Sequence, residues 1–314
     1  MPSASSDLPH PGALAGEPAR GPRARARAAL ESIRPYQWLK NALVLVPLAA
    51  AHRLGEPALL IPALLGMLAF SLCASGVYVL NDLWDETADR HHPHKWRRPI
   101  ASGRLSHAWA IAIAVVLVLA ALLTAALVGR ALIAVIGAYF GLMVLYSLRL
   151  KSVVLLDAMI LAGGYALRVV AGSLAVRIWP SPWLLMLCIF FFFSLALLKR
   201  YAELALLRAR DGAAARARAY LSQDLEFILM LGVGCGIASV LVLALYTSSN
   251  PAPLLYHRSG FLWGNCVLLL YWVSHMWLAA HRGRMTDDPL VFALRDPVSE
   301  ALLVLMALSA WAAL

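Results

Sequence analysis

The stretch YVLNDLWDETADRHHPHKWRRPIASG, residues 78–103, decides how the chain is read. It starts at the end of a long apolar run and places Asn81, Asp82, Asp85, Glu86 and Asp89 at the exit. On a helix Asp82, Asp85 and Asp89 fall at i, i+3 and i+7, on one face, and Asn81, four residues before Asp85, borders that face. Like charges so close repel, and beside a low-dielectric medium the repulsion is costly. A cation is therefore expected there. Hard oxygen donors at this spacing suit Mg2+, which keeps several waters and takes one or two carboxylates together with substrate phosphate oxygens. Lys95, Arg97 and Arg98 follow at once, with side chains suited to phosphate. Acids for a metal beside bases for phosphate predict a site for a diphosphate–metal complex. A merely solvated acidic helix end would leave the basic run unexplained. His91, His92 and His94 bring zinc to mind, but hard carboxylates without cysteine disfavour it.

The rest of the chain says what kind of protein carries this motif. Of 314 residues, 61% are hydrophobic and 14% charged, and the mean hydropathy is +0.73. A soluble domain is about half apolar and about a quarter charged. The composition is that of an all-α, polytopic membrane protein. Apolar stretches near 41–51, 58–80, 107–128, 131–148, 153–176, 182–198, 225–247, 260–280 and 297–314 predict nine transmembrane helices. The first is short and borrows IRPYQW as an interfacial lead-in. Residues 1–30, rich in Pro, Ala, Gly and Arg, read as a disordered basic tail against anionic lipid headgroups, without a signal peptide. Residues 31–314 then form a single transmembrane catalytic domain.

Charge placement supports this map. The net charge of +10 would suit nucleic acid if it were clustered, but it alternates with the spans. Arg20, Arg23, Arg25, Arg27, Arg34 and Lys40 precede the first span. Arg149 and Lys151, Lys199 and Arg200, and Arg282, Arg284 and Arg295 follow even-numbered ones, whereas Arg53, Arg130, Arg177 and Arg258 stand alone after odd-numbered ones. The positive-inside rule then puts the N-terminus and the long connections 81–106 and 199–224 in the cytoplasm. The expected setting is the bilayer of the inner (plasma) membrane, multi-pass, with the active site facing the cytoplasm and no nucleic-acid partner. The oligomeric state is left open.

Within the spans, Asp157, Tyr165 and Arg168 share a helix face, and intramembrane charges generally face the bundle interior and function. An ion pair that only joins two helices is the duller reading. Cys73, Cys188, Cys235 and Cys266 lie in apolar runs and read as small buried hydrophobes. The phenylalanines at 190–193 read as packing, and Asp287 and Asp288 as solvated.

The motif of residues 78–103 resembles the first signature of the UbiA-type intramembrane prenyltransferase superfamily, NDxxDxxxD followed by a basic segment and RPI. IRPYQWLKN (33–41) and YSLRLKSVVLLD (146–157) are similar to other stretches of that superfamily, whose nine-helix bundle matches the span count. The resemblance implies Mg2+ held by Asn81, Asp82, Asp85 and Asp89, the last three catalytic. It implies substrate contacts at Lys40, Asn41, Lys95, Arg97, Arg98, Tyr146, Lys151, Asp157 and Arg168. Members with aromatic acceptors carry a second pair, DxxxD, after span six. Here that place reads LLKRYAELALLRARDG, with Glu203 the only carboxylate before Asp211. Lys199, Arg200, Tyr201 and Glu203 in KRYAEL, with QWLKN and ALRDPV (293–298), resemble the decaprenyl-phosphate phosphoribosyltransferase branch. That likeness implies phosphoribosyl pyrophosphate as donor and a polyprenyl phosphate lipid as acceptor. The rival, a prenyltransferase with an aromatic acceptor, requires the missing acidic pair. A transporter requires helix breaks in matched halves, and Pro62 and Gly163-Gly164 are too scattered for that.

Overall fold

The structure, a computed structural model, describes residues 21–91, 95–211, 216–217, 219–249, 255–258, 260–285 and 288–313. Its elements are helices α1 (Pro22–Ile33), α2 (Val46–Ala50), α3 (Pro57–Trp84), α4 (Glu86–Arg90), α5 (His107–Val128), α6 (Arg130–Leu148), α7 (Leu156–Val176), α8 (Pro182–Asp211), α9 (Leu225–Thr247), α10 (Phe261–His281), α11 (Pro289–Ala293) and α12 (Pro297–Ala313). A two-stranded antiparallel ribbon, β1 (Arg216–Ala217) and β2 (Tyr220–Leu221), follows α8. Every apolar stretch of the sequence falls on a helical segment. Among the described residues, seven helices are long and apolar enough to cross a membrane.

The two shortest stretches differ from the expectation for a physical reason. Pro35–Leu45 winds as a tight 3-10 helix running into α2, where Pro47 supplies a preset φ in the first turn. At about 2 Å of rise per residue, such a helix covers more distance than an α-helix of equal length. α12 has 17 residues, short of the roughly 20 a span ordinarily needs. Residues 22–30, read from the sequence as part of a basic tail, belong to helix α1. Proline at the first position of α1, then Arg, Ala and Leu, favours helix, and Ala28 and Ser32 are buried. Residues 1–20, His92 and His94 lie outside the described residues.

The chain divides into two compact units. The first lies within Met1–Ala42 and Leu64–Leu148. Here α3 and α5 approach so closely that a Cβ at Gly76 would lie 2.9 Å from Val118 Cγ2. Phe70 and Tyr139 pack with ring centroids 4.7 Å apart, joining α3 to α6. A cluster of Ala28, Val79, Ile100, Leu105, Ala110 and Ala114 seats α1 and the RPI turn against the end of α3. Leu123 and Leu127 of α5 are over two-thirds exposed, as suits helices whose outer faces meet lipid rather than water.

The second unit lies within Leu43–Ala63 and Arg149–Leu314. Small residues let its helices touch, as is usual where lipid supplies no hydrophobic drive between helices. A Cβ at Gly172 would lie 1.9 Å from the Val44 carbonyl oxygen, and one at Gly232 would lie 2.2 Å from the Trp277 ring. Trp277 Nε1 donates to Ser194 Oγ (3.1 Å), whose hydroxyl donates to the Gly232 carbonyl (2.7 Å). Phe192 is buried and stacks on Tyr165 at 4.5 Å, so the phenylalanine run is packing there. All four cysteines are buried and none is joined in a disulfide. An apolar cavity of about 390 Å³ lies between the start of α8, near Trp183 and Leu184, and the end of α9, at Tyr246. Arg200, far along α8, is remote from it.

Candidate active site

In the first unit the acidic face forms as its spacing requires. α3 gives way to α4 at Asp85, yet backbone bonds from Asp85 N–H to the Asn81 carbonyl (2.9 Å) and from Asp89 N–H to the Asp85 carbonyl (2.8 Å) carry the helical stagger through. Asp82 and Asp89 are buried, and Asp85 is half-buried. Asn81 Nδ2 donates to Asp85 Oδ2 at 3.0 Å.

The cations expected on this face include two guanidinium groups. Arg34 Nη2 donates to both oxygens of Asp82, at 2.5 and 2.7 Å, and the Arg34 guanidinium lies over Tyr78, 5.3 Å from the ring centroid. Arg98 Nη1 spans Asp82 Oδ1 (3.0 Å) and Asp89 Oδ2 (2.5 Å). Burial disfavours the Arg34 charge, but Asp82 outweighs it and holds the guanidinium above its ordinary range. For Asp89 the balance goes the other way: burial raises the carboxyl despite Arg98. Glu86 is engaged separately, by Arg90 at 2.6 Å and by His107 at 2.7 Å.

Arg34 was legible only as one of the positive charges before the first span. Its role depends on geometry: it terminates α1 with a left-handed backbone, φ 56°, which turns the chain into Pro35. Lys95 and Arg97 are exposed, the latter over Trp96 at 5.3 Å. Lys40 is half-buried. Asn41, expected to meet substrate, is buried and donates to Ser71 Oγ at 3.0 Å, tying the entry segment to α3. Tyr146 is buried near the end of α6.

The second unit gathers a different set. Arg200, expected to bind phosphate, is 1% exposed: its Nε donates to Asp157 Oδ2 at 2.6 Å and its Nη1 to Glu203 Oε2 at 2.7 Å. The charge is turned inward because a guanidinium in a low-dielectric bundle must find carboxylates. Asp157 is thus engaged in an ion pair between α7 and α8. Its other oxygen accepts from the Tyr220 hydroxyl at 2.6 Å, which in turn accepts from the Leu155 N–H at 3.0 Å. Leu155 has a positive φ of 64°, a costly conformation that its surroundings must hold. Burial pushes the Tyr220 hydroxyl up, and Asp157 adds to the effect.

Arg168 is buried, with Nη1 donating to the Gly164 carbonyl at 2.6 Å and its guanidinium 5.4 Å from the Tyr165 ring centroid. Tyr201 is buried and shares a 2.9 Å bond with His281 Nδ1. Lys151 and Lys199 are half-buried. Lys199 Nζ reaches Asp288 Oδ2 at 3.3 Å, so Asp288, read as solvated, is a partner of this end of α8. Tyr220 and Asp288 carry no spacing signal in the sequence. Asp287 lies outside the described residues.

The chain is similar to several known proteins. The chain is 34% identical over 271 residues to the uncharacterized protein y4nM of Sinorhizobium fredii, covering 86% of this chain and 52% of that protein, about half its length. It is 35% identical over 284 residues to nodulation protein NoeC of Azorhizobium caulinodans, covering 88% and 90% of the two chains. It is 33% identical over 282 residues to decaprenyl-phosphate phosphoribosyltransferase of Mycobacterium tuberculosis, covering 87% and 89%. The fold is similar to that of a UbiA homolog from Archaeoglobus fulgidus solved with GPP and Mg2+, with a TM-score of 0.63 at 18% identity over 90% of this chain and 96% of that one. The sequence pattern of the UbiA prenyltransferase family matches residues 42–295, and the chain belongs to that family, as an integral membrane transferase.

Proposed function

We propose that the protein transfers 5-phosphoribose from phosphoribosyl pyrophosphate to a polyprenyl phosphate of decaprenyl type, releasing diphosphate. The observation that carries the reading is the replacement of the family's second acidic pair by Lys199 and Arg200. A donor with a phosphate beyond its diphosphate asks for a cation there, a role left to Lys199, since Arg200 is turned inward to Asp157 and Glu203. The relative described as a decaprenyl-phosphate phosphoribosyltransferase supports the same choice. The aromatic-acceptor alternative needs carboxylates at that place. α8 offers Glu203, which is bonded to Arg200.

The first-motif face suits a hard divalent cation such as Mg2+ in its donor chemistry, although among the described residues no three carboxylate, imidazole or thiol groups are gathered closely enough to hold one. Its donors are all oxygen, and one atom, Arg98 Nη1, already lies in reach of both Asp82 and Asp89. Two buried carboxylates therefore converge on a point where positive charge is at home. Asp82 and Asp89, with Asp85 and Asn81 on the same face, would hold the ion, and Arg34 anchors Asp82. When bound, Mg2+ would neutralise charge building on the leaving diphosphate.

The protein's own groups would do the remainder. Arg98, with Lys95 and Arg97, would hold the diphosphate oxygens by charge-assisted bonds. The C1–oxygen bond to diphosphate breaks with its electron pair leaving on diphosphate, and C1 gains oxocarbenium character. A phosphate oxygen of the lipid forms the new bond from the opposite face. That oxygen is anionic at neutral pH, so no general base is needed. Preorganised charge in a water-poor site would supply most of the acceleration. The positive-inside pattern supports a cytoplasmic active site in the inner membrane.

Purified protein with Mg2+, polyprenyl phosphate and labelled phosphoribosyl pyrophosphate should yield labelled lipid. A parallel reaction with labelled prenyl diphosphate and an aromatic acid should not. Product in the second reaction alone overturns the assignment.

A further inference from the structure

Helix α1 presents two different faces. Inward, Ala28 and Ser32 are buried, Ala28 within the cluster that includes Val79, Ile100 and Leu105. Glu31 bonds Arg104 at 2.8 Å, and Arg34, the residue that ends the helix, grips Asp82. Outward, Arg23 and Arg27, one turn apart, are exposed, the Arg27 side chain by 83% even though it reaches Glu31 at 3.2 Å; Arg25 is exposed on the opposite side of the helix. Beside these cations stand exposed apolar groups: Leu30 at 58%, and Tyr36 at 68% and Leu39 at 58% just beyond the helix.

Arginines one turn apart, flanked by exposed apolar side chains, are the composition of a segment that lies in the bilayer interface. Basic residues so placed are drawn to anionic headgroups, within a Debye length of the surface. An acidic protein or a nucleic acid would account for the arginines. It would leave Leu30, Tyr36 and Leu39 facing water in a chain already embedded in lipid.

We infer that α1 is a docking surface for the headgroups of anionic phospholipids, and that through Arg34 it couples bilayer charge to the position of Asp82. The helix and the acidic face are joined at Ala28, at Glu31–Arg104 and at Arg34–Asp82. A force that seats α1 on the membrane therefore acts on the carboxylate cluster. The inference does not depend on which donor the enzyme uses.

The test uses the full chain in nanodiscs of phosphatidylcholine alone or mixed with phosphatidylglycerol. A nitroxide is attached at Ala24→Cys; the four native cysteines are buried and need no replacement. In anionic discs the label should lose accessibility to a water-soluble nickel chelate and gain accessibility to oxygen. Arg23→Gln/Arg25→Gln/Arg27→Gln, or high salt, should abolish that shift. Equal accessibility in both lipids, or a shift that survives the triple substitution, overturns docking. For the coupling, anionic lipid should raise wild-type turnover and leave the triple variant unchanged, with equal turnover of the two in neutral discs. The same lipid response in both proteins overturns the coupling. Because the nitroxide needs no substrate, failure of the phosphoribosyl assignment and failure of this inference are told apart.

Discussion

Arg34 Nη2 donates to both oxygens of Asp82 across 48 residues of sequence, so the first acidic residue of the motif is held by the turn that enters the membrane domain. Asp82 is 2% exposed and also accepts from Arg98. Its charge is balanced by two guanidinium groups, and Asp85 accepts from the amide of Asn81. The three carboxylates on one face thus have different neighbours, and different consequences follow from removing them.

Arg34→Ala should lower stability by about 3 kcal/mol, the low end for breaking a buried pair, because Arg98 still reaches Asp82. Thermal unfolding in detergent measures the loss. A cycle with Asp82→Asn should reveal coupling of about 1 kcal/mol or more. Strict additivity would show that the two residues do not interact.

Asp85→Asn keeps the side-chain shape and removes an anionic donor from a half-buried position, so folding should be spared while turnover collapses. Retention of more than about a tenth of the activity, roughly 1.4 kcal/mol of barrier, would remove Asp85 from the metal-binding role.

Lys199 and Arg200 are adjacent but should respond differently. Lys199→Met should raise KM for phosphoribosyl pyrophosphate about ten- to a hundredfold, as expected for a charge-assisted bond of about 1.5–3 kcal/mol, with kcat little changed. Arg200→Met leaves Asp157 buried without its guanidinium partner and should cost about 3–5 kcal/mol of stability. Adding Asp157→Asn should recover part of that. A pure KM effect for Arg200→Met with unchanged unfolding temperature would return Arg200 to the phosphate site.

Asp296 precedes α12 and accepts from the Ser299 N–H (2.8 Å), the Ser299 hydroxyl (2.9 Å) and His275 Nε2 (2.9 Å). Burial alone would raise its carboxyl, but the Ser299 bonds and the His275 ring outweigh burial and depress it below the ordinary range. A depressed carboxyl stabilises the fold above its unfolded-state pKa, and that contribution is lost as pH falls through the folded-state value. Asp296→Asn keeps a capping oxygen but loses the charge, and should therefore cost about 1 kcal/mol at neutral pH, the difference between a charge-assisted and a neutral hydrogen bond. The gap from wild type should narrow as the solution is acidified below the ordinary carboxylate range. A gap that stays constant as the pH falls below that range would mean the charge contributes nothing.

The sequence by itself determined where the seven long apolar helices run and which carboxylates of the first motif share a face. Both follow from local periodicity: apolar runs of spanning length, and carboxylates at i, i+3 and i+7. It also determined the family, because the long first motif sits on one continuous segment. What each charge touches was decided only by the tertiary structure. Arg34 and Asp82 are 48 residues apart, Asp157 and Arg200 are 43 apart, and Tyr220 reaches Asp157 across 63. No spacing rule connects such positions. Their pairing depends on how helices rotate and slide to pack small residues such as Gly76 and Gly172, and on the high cost of an unpaired charge in a low-dielectric interior. Arg200 could be read as a phosphate ligand from its neighbours in sequence, and packing turned it toward Asp157. Arg34 could be read only as an anchor at the membrane surface, and packing brought it to the acidic face.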